Sequence, residues 1–448
     1  MPSTRPAAVA GMFYPGDAQS LFAELEELLG GVEQREPRLG FPKALVVPHA
    51  GYIYSGPVAA RAYDELGSAR GIVSRVVMLG PVHRVPVRGL AIPTDDAFAT
   101  PLGTVPIDRA ALEAVRDLPQ VVASDRAHLQ EHALEVQLPF LQRQLGSFAL
   151  APFAVGDASV QEVAQVIERL WGGPETLIVI STDLSHYHPY AEARQIDRAT
   201  VTRIARFASD LDSEEACGAT PLNGFLALAQ DRNLSIRLLA ACNSGDTAGG
   251  KGQVVGYSAF AVHEPGTDIS LADAGKTLLR IARAAIESKL FGSARTADAP
   301  WLRQNGATFI TLTRDGALRG CIGSLQAARP LGEDVGENAV GAAFRDPRFP
   351  PISAAEWPAV KVEVSLLSSA KPLRFADEDD LLAQVRAGED GLILEADGRR
   401  ATFLPQVWES IRDKHQFLRE LARKAGLPDD VRLGRCRVAR YKVTKWKE

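Results

Sequence analysis

The chain has 448 residues, of which 46% are hydrophobic and 23% charged, and its net charge at pH 7 is −5. That length exceeds one typical domain, so two or three cores are expected. No clustering of Lys and Arg points to nucleic acid or an anionic membrane as a partner, and no apolar run approaches a membrane span.

From Met1 to about His263, apolar strand segments alternate with helical patterns, which predicts an α/β fold with a mainly parallel sheet. Ala18 to Leu29 reads as a helix, with Leu21, Phe22, Leu25, Leu28 and Leu29 on one face. Strands are expected at 44–47, 76–79 and 89–92, with a helix at 58–66 after the first. Phe98 to Gly103 reads as turns and 108–116 as helix. His132 to Leu145 reads as a helix whose Pro139 bends it or resets its start. Strands at 149–155 and 177–180 enclose a helix at 160–170, and 254–262 closes this half. The Pro-Gly turn at 265–266 is the clearest linker, placing one domain at 1–264, a linker at 265–269 and a second domain at 270–448. The second half mixes strands at 308–313, 360–367, 391–395 and 436–443 with helices at 271–290, 333–344 and 407–425, an α+β pattern. The four cysteines, Cys217, Cys242, Cys321 and Cys436, make neither a C-x-x-C pair nor a secreted framework. With no signal-peptide pattern at the start, a reducing cytoplasm is the expected home.

Three strands of the first half run into chemistry-bearing residues. Val46-Val47-Pro48-His49-Ala50-Gly51 ends in a histidine, and so does Leu79-Gly80-Pro81-Val82-His83. Ile180-Ser181-Thr182-Asp183-Leu184-Ser185-His186 adds a carboxylate and a third imidazole. Ligands gather at the carboxyl ends of α/β strands, so these residues are expected to share one site. Two histidines and a carboxylate form the facial set that holds Fe(II) with positions left open. The alternative for each histidine is a satisfied loop-end residue.

Other motifs compete. His128-Leu129-Gln130-Glu131-His132 matches H-x-x-E-H, but it precedes the convincing helix that a zinc peptidase motif requires. His132 could still line a pocket. The polar loop Asn243-Ser244-Gly245-Asp246 could supply the carboxylate through Asp246 or a thiolate through Cys242, or be an ordinary turn. The phosphate-loop pattern G-x-x-x-x-G-K-[ST] is absent from this loop. In the second half, Arg319-Gly320-Cys321-Ile322-Gly323 sets a cysteine beside an arginine; a reactive thiolate and a buried structural cysteine are both open.

The motifs Gly11-Met12-Phe13-Tyr14-Pro15, Pro48-His49-Ala50-Gly51-Tyr52, Gly80-Pro81-Val82-His83, Glu131-His132 through Phe140, and Ser181 through His186 occur in the order seen in the Memo family, which residues 5–263 resemble. From about Ser270 the chain resembles the AMMECR-type domain, through Leu318 to Gly323, Asp346-Pro347-Arg348-Phe349 and Phe403 to Trp408. Fused, the two are similar to proteins B and A of the AmmeMemoRadiSam system, whose third member is a radical SAM enzyme. The resemblance implies the fold of class III extradiol dioxygenases for the first half and a radical SAM protein as a partner. It also implies that residues matching His49 and His83 bind metal together with a Cys from the last loop, beside an Asp and a His matching Asp183 and His186. Aligned through Asn243 to Asp246, Cys242 falls a few residues before that Cys, so Asp246 is expected as the third ligand.

Together these readings give an Fe(II) site, with Cu or Zn as alternatives, held by His49, His83 and Asp246. His186 is expected as acid/base, Asp183 as its orienter or a substrate contact, and His132 as a pocket residue. The expected reaction is dioxygenase-like oxidoreduction of a catechol-like small aromatic. A non-catalytic metal- or peptide-binding scaffold and a zinc hydrolase are the alternatives. Arg319 and Cys321 are expected to line a second-domain pocket facing a cleft between the domains, near the metal cluster but not at it.

Overall fold

Four largely apolar runs build the centre of the fold: a computed structural model places 44–47, 75–81, 149–155 and 176–181 side by side and parallel, almost wholly shielded from water on both faces. The structure describes residues 3–32, 38–292, 298–368, 370–373, 375–396, 398–428 and 431–448. These fall into two compact units, 3–32 with 40–268 and 38–39 with 269–448. The short strand Arg38–Leu39 precedes the first unit's sheet in the chain, yet it pairs antiparallel with Ile269–Ser270 and belongs to the second unit.

The first unit's strands are β1 (Ala44–Val47), β2 (Arg75–Pro81), β3 (Leu90–Ile92), β4 (Val121–Ala123), β5 (Ala149–Val155), β6 (Thr176–Ser181), β7 (His186–His188), β8 (Ser235–Asn243) and β9 (Val254–His263). They form one sheet in the order β7-β9-β1-β6-β2-β5-β3-β4, with β8 also paired to β9. The sheet is more mixed than the alternating pattern implies. β8 and β9 form an antiparallel hairpin, and β9 runs antiparallel to β1, because two consecutive strands joined by a short loop cannot be parallel.

Helices cover the sheet where their starts are signalled locally. Asp17 caps Ala18–Gly30 by accepting the Ser20 N–H, and Ser159 with Glu162 makes a reciprocal capping box at Val160–Arg169. The segment read as turns at 98–103 is instead a small hairpin, Ala97–Thr100 with Gly103–Pro106, whose alternate residues Phe98 and Val105 are buried. The helix expected from His132 begins only at Leu138, after a 3₁₀ turn at Glu135–Gln137, with Pro139 in its first turn.

Beneath that delayed start lies a buried knot. The Arg5 guanidinium donates to Glu135 at 2.7 Å, to the His128 carbonyl at 2.5 Å and to the Glu131 carbonyl at 2.6 Å. Glu135 also accepts the Ala8 and Val9 N–H groups and the Tyr14 hydroxyl. Its carboxylate and the Arg5 side chain are 0% and 1% exposed, so their opposite charges and these hydrogen bonds together offset the desolvation of both. His128 is buried alongside and donates from Nε2 to the Ala91 carbonyl at 2.9 Å.

The second unit has two four-stranded sheets with separate cores. One orders 317–323, 308–314, 360–367 and 443–447, all antiparallel, under helices Leu271–Phe291 and Leu331–Phe344. The other orders 371–373, 437–441, 391–396 and 399–403. The single helix expected over 407–425 is a 3₁₀ turn at Pro405–Glu409 and a separate helix Lys414–Lys424, capped by Asp413.

Arg5→Ala should destabilise the first unit by about 3–5 kcal/mol, since it strands a buried carboxylate; urea denaturation followed by tryptophan fluorescence measures it. Burial holds the His128 imidazole down to about 4, against 6.5 in the unfolded chain. Its contribution is therefore complete above pH 6.5 and lost as pH falls toward 4, a loss of about 3 kcal/mol over that window. His128→Gln keeps a donor for Ala91 and should flatten the acid limb of stability against pH by about one proton.

Candidate metal centre

His49 follows β1 by two residues, His83 follows β2 by two, and Asp183 follows β6 by two. Since β6 lies between β1 and β2, with Ser181 in register with Val47, the three strand ends open side by side. Gly80 keeps this edge tight: a Cβ there would stand 2.9 Å from the Leu134 side chain and 3.3 Å from that of Ser181.

The structure brings together His49, His83 and His132, each offering one ring nitrogen, with these atoms all within 4.8 Å of one another. The far side of two of the rings is held by a hydrogen bond. Ser181 gives its hydroxyl proton to the Ala133 carbonyl at 2.7 Å, so it accepts from His49 Nδ1 at 2.9 Å. That bond leaves the lone pair of His49 on Nε2. His83 Nδ1 donates to Glu131 at 2.9 Å, while the same carboxylate takes the backbone N–H groups of His83, His132 and Ala133 at 2.6, 2.8 and 2.9 Å. Carboxylate and hydroxyl partners behind imidazoles are how metal-binding histidines are fixed in tautomer and angle.

Electrostatics suit a cation. Burial, helped by His83, pushes His49 down to about 3, and burial with His49 pushes His132 down to about 4, so both present neutral lone pairs at pH 7. Burial alone would raise Glu131, but the hydrogen bond and charge of His83 outweigh it and hold the carboxyl at about 2. Asp183 is raised, by burial foremost, against the opposing His49 N–H, which it accepts at 2.7 Å, and the His186, His132 and His83 imidazoles. The donor set, imidazoles backed by a hydroxyl and a carboxylate, fits a divalent transition metal.

His186 donates from Nδ1 to the Leu184 carbonyl at 2.8 Å, which leaves Nε2 as an acceptor. It precedes Tyr187, a left-handed residue at φ 61° with its ring in the open, a conformation disfavoured for a bulky side chain. Phe13 meets the His132 ring edge-on at 4.9 Å.

Asp246 stands outside the imidazole cluster. It is exposed, accepts the Tyr190 hydroxyl, and caps its own turn through the Asn243 N–H at 3.1 Å. Cys242 lies in β8 opposite Tyr257, its thiol pushed up to about 12 by burial and by Asp246 and Asp197. The H-x-x-E-H motif is split: His128 lies in the five-residue helix Asp125–Leu129, faces Ala91, and contributes nothing to the cluster. In the second unit, Arg319 is paired with Glu356 at 2.5 and 3.0 Å. Cys321 sits on the edge strand 317–323, its sulfur 3.5 Å from the Thr311 hydroxyl. Its N–H donates to Asp346 at 2.8 Å and its carbonyl accepts from Arg348, so this ion pair covers the strand edge. Sequence reasoning missed Ser181 and Cys217. Ser181 closes the apolar run of β6 and could have been noticed as the polar residue at its carboxyl end; Cys217, whose sulfur is 3.3 Å from His49 Nε2, has no local signal.

A family model described as Memo-like protein matches residues 5–261, and one described as AMMECR1 matches 279–446. A MEMO1 family protein of Aquifex aeolicus is 38% identical over 273 residues, spanning 56% of this chain and 97% of the relative. One from Methanopyrus kandleri is 37% identical over 278 residues, spanning 57% of this chain and 98% of the relative. Among solved structures, an uncharacterized protein of Pyrococcus horikoshii is 35% identical, covering 39% of this chain and 92% of that one, with a TM-score of 0.36. Among the described residues no helix is long and apolar enough to cross a membrane. With the Memo model matched over more than half its length, the chain belongs to the Memo family, its Memo domain joined to an AMMECR1 domain.

Proposed function

We propose that the first unit is a non-haem Fe(II) oxidoreductase of dioxygenase type acting on a catechol-like small aromatic, with the AMMECR1 domain and a radical SAM protein as its companions in one system. The observation that carries this reading is the convergence of three imidazoles, two of them neutral by burial and two with the far nitrogen pinned by Ser181 and Glu131. In this reading His132, half-buried in the cluster, takes the third position in place of the exposed Asp246. A bound ferrous ion supplies Lewis acidity and redox chemistry with dioxygen.

The chain's own residues do the rest. His186 Nε2, left with its lone pair by the Leu184 bond, accepts a proton from a substrate hydroxyl and returns it later. Asp183 holds the His49 backbone and adds a buried carboxyl to the electrostatic balance of the site. Phe13 and Tyr187 offer ring faces at the cluster and beside His186, suited to an aromatic ligand. A second reading, zinc-dependent hydrolysis, is favoured by the donor set itself, because three histidines also make catalytic zinc sites.

Protein purified without oxygen should contain stoichiometric iron by mass spectrometry, and His49→Ala or His83→Ala should abolish it. Activity restored by Zn(II) but not Fe(II) would favour the hydrolase, and a metal-free wild type would favour a scaffold. Glu131→Gln should weaken metal binding by about 10–100-fold, as losing the partner behind a ligand does; competition with a chromogenic chelator reads it. His186→Gln should leave metal content unchanged while lowering kcat on a turned-over diol by about 10²–10⁴-fold.

A further inference from the structure

A carboxylate on the neighbouring helix reaches the turn that carries His186. In β7, His186 pairs with Val255 and His188 with Val254, so Tyr187 is an extra residue, at φ 61°. Such an insertion re-aims the side chains beside it and stores strain that its surroundings must hold. The backbone before His186 shows what holds this one. The Leu184 N–H donates to the Gly256 carbonyl and the Ser185 carbonyl accepts the Gly256 N–H, both at 2.8 Å. The Leu184 carbonyl takes His186 Nδ1 at 2.8 Å. The Ser185 N–H, the remaining group, donates to Asp197 Oδ1 at 3.1 Å, on helix Tyr190–Ala205. Asp197 is 8% exposed and packs closely on β9: a Cβ on Gly256 would lie 2.2 Å from one carboxylate oxygen and 2.4 Å from the other.

We propose that Asp197 is a positioning residue for the proton transfer assigned to His186, acting through the peptide group between Leu184 and Ser185. That group is one rigid plane, with its carbonyl and its N–H at opposite ends. Asp197 takes the N–H end and His186 Nδ1 the carbonyl end, so the orientation of the plane sets which imidazole nitrogen carries the proton. The bonds to Gly256 belong to the two flanking peptide groups and leave this plane to Asp197. Accepting the N–H also polarises the amide, which makes the Leu184 carbonyl a better acceptor. The His186 ring is thereby held with its lone pair on Nε2, the atom that takes the substrate proton.

This inference rests on the proton-transfer role proposed for His186, and the tautomer of that ring separates the two. The full chain, carrying nitrogen-15 imidazoles and loaded with diamagnetic Zn(II), should show His186 as a single tautomer protonated at Nδ1 in long-range nitrogen–proton correlation spectra. His186→Gln identifies its signals. Asp197→Ala frees the plane and should mix in the Nε2-protonated form, while Asp197→Asn, which keeps an acceptor for Ser185, should restore the single form. Gly256→Ala drives a methyl group into the carboxylate and should reproduce the mixture with Asp197 still present. On a turned-over diol, Asp197→Ala should lower kcat by about ten-fold or more with KM unchanged, since the wrong tautomer cannot act as base, and Asp197→Asn should recover it. Should Asp197→Ala fold poorly, the Asn and Gly256→Ala variants carry the comparison. A His186 ring that stays protonated at Nδ1 in Asp197→Ala or Gly256→Ala would overturn the positioning role. A tautomer lost in these variants, beside a wild type that turns over no diol, would sink the proposed reaction and leave the hold of Asp197 on the ring standing.

Discussion

The Glu131 carboxylate binds the end of β2 to the segment that follows it in space. It accepts one ring N–H and three backbone N–H groups, from His83, His132 and Ala133. Everything the cluster needs depends on it: the His83 tautomer, the direction of the His132 backbone, and the tight turn that delays helix Leu138–Leu145. Such a group tolerates burial because four N–H groups replace its hydration. Arg5 secures the same segment from below through the Glu131 carbonyl, so the N-terminal strand and the site share one network.

Charge in the site is arranged by desolvation as much as by pairing. Burial drives His49 and His132 toward the neutral form, while Glu131 stays ionised through His83, and Asp183 is lifted by its own burial. A cation bound among them would repay several of these costs together, since neutral imidazoles present lone pairs and the buried carboxyls gain an opposite charge. The second unit follows a different logic. Arg319 with Glu356, and Arg348 with Asp346, pair their charges around the edge strand that carries Cys321. The Arg348 guanidinium holds Asp346 well below the usual carboxylate range, so this pair persists across the physiological pH range.

Much of the fold was legible because local signals are strong where burial is complete. Runs such as Ala44–Val47 and Ala149–Val155 have no polar residue to place in water, and their limits match the strands found. The capped helix Val160–Arg169 was likewise readable from Ser159 and Glu162. Legibility failed where tertiary contacts chose between local options. The hairpin at 97–106 contains turn residues, but burial of Phe98 and Val105 turned its flanks into strands. Asp246 had the right chemistry for a ligand and the wrong surroundings, since its turn and Tyr190 use its oxygens.

That His49 and His83 come together at one sheet edge was legible in the sequence alone, because an apolar strand ending in proline or glycine leaves little choice about where its next polar side chain goes. The order of strands was not so determined, and it decided everything else. Placing β6 between β1 and β2 put Ser181 behind His49. The buried knot of Arg5 and Glu135 turned His132 inward. Cys217, 168 positions from His49, reached it only through the close packing of Gly218 against β6. Residues contributed to one cluster by distant loops carry no mutual signal in the chain, since their spacing is set by sheet topology and not by helical or strand period.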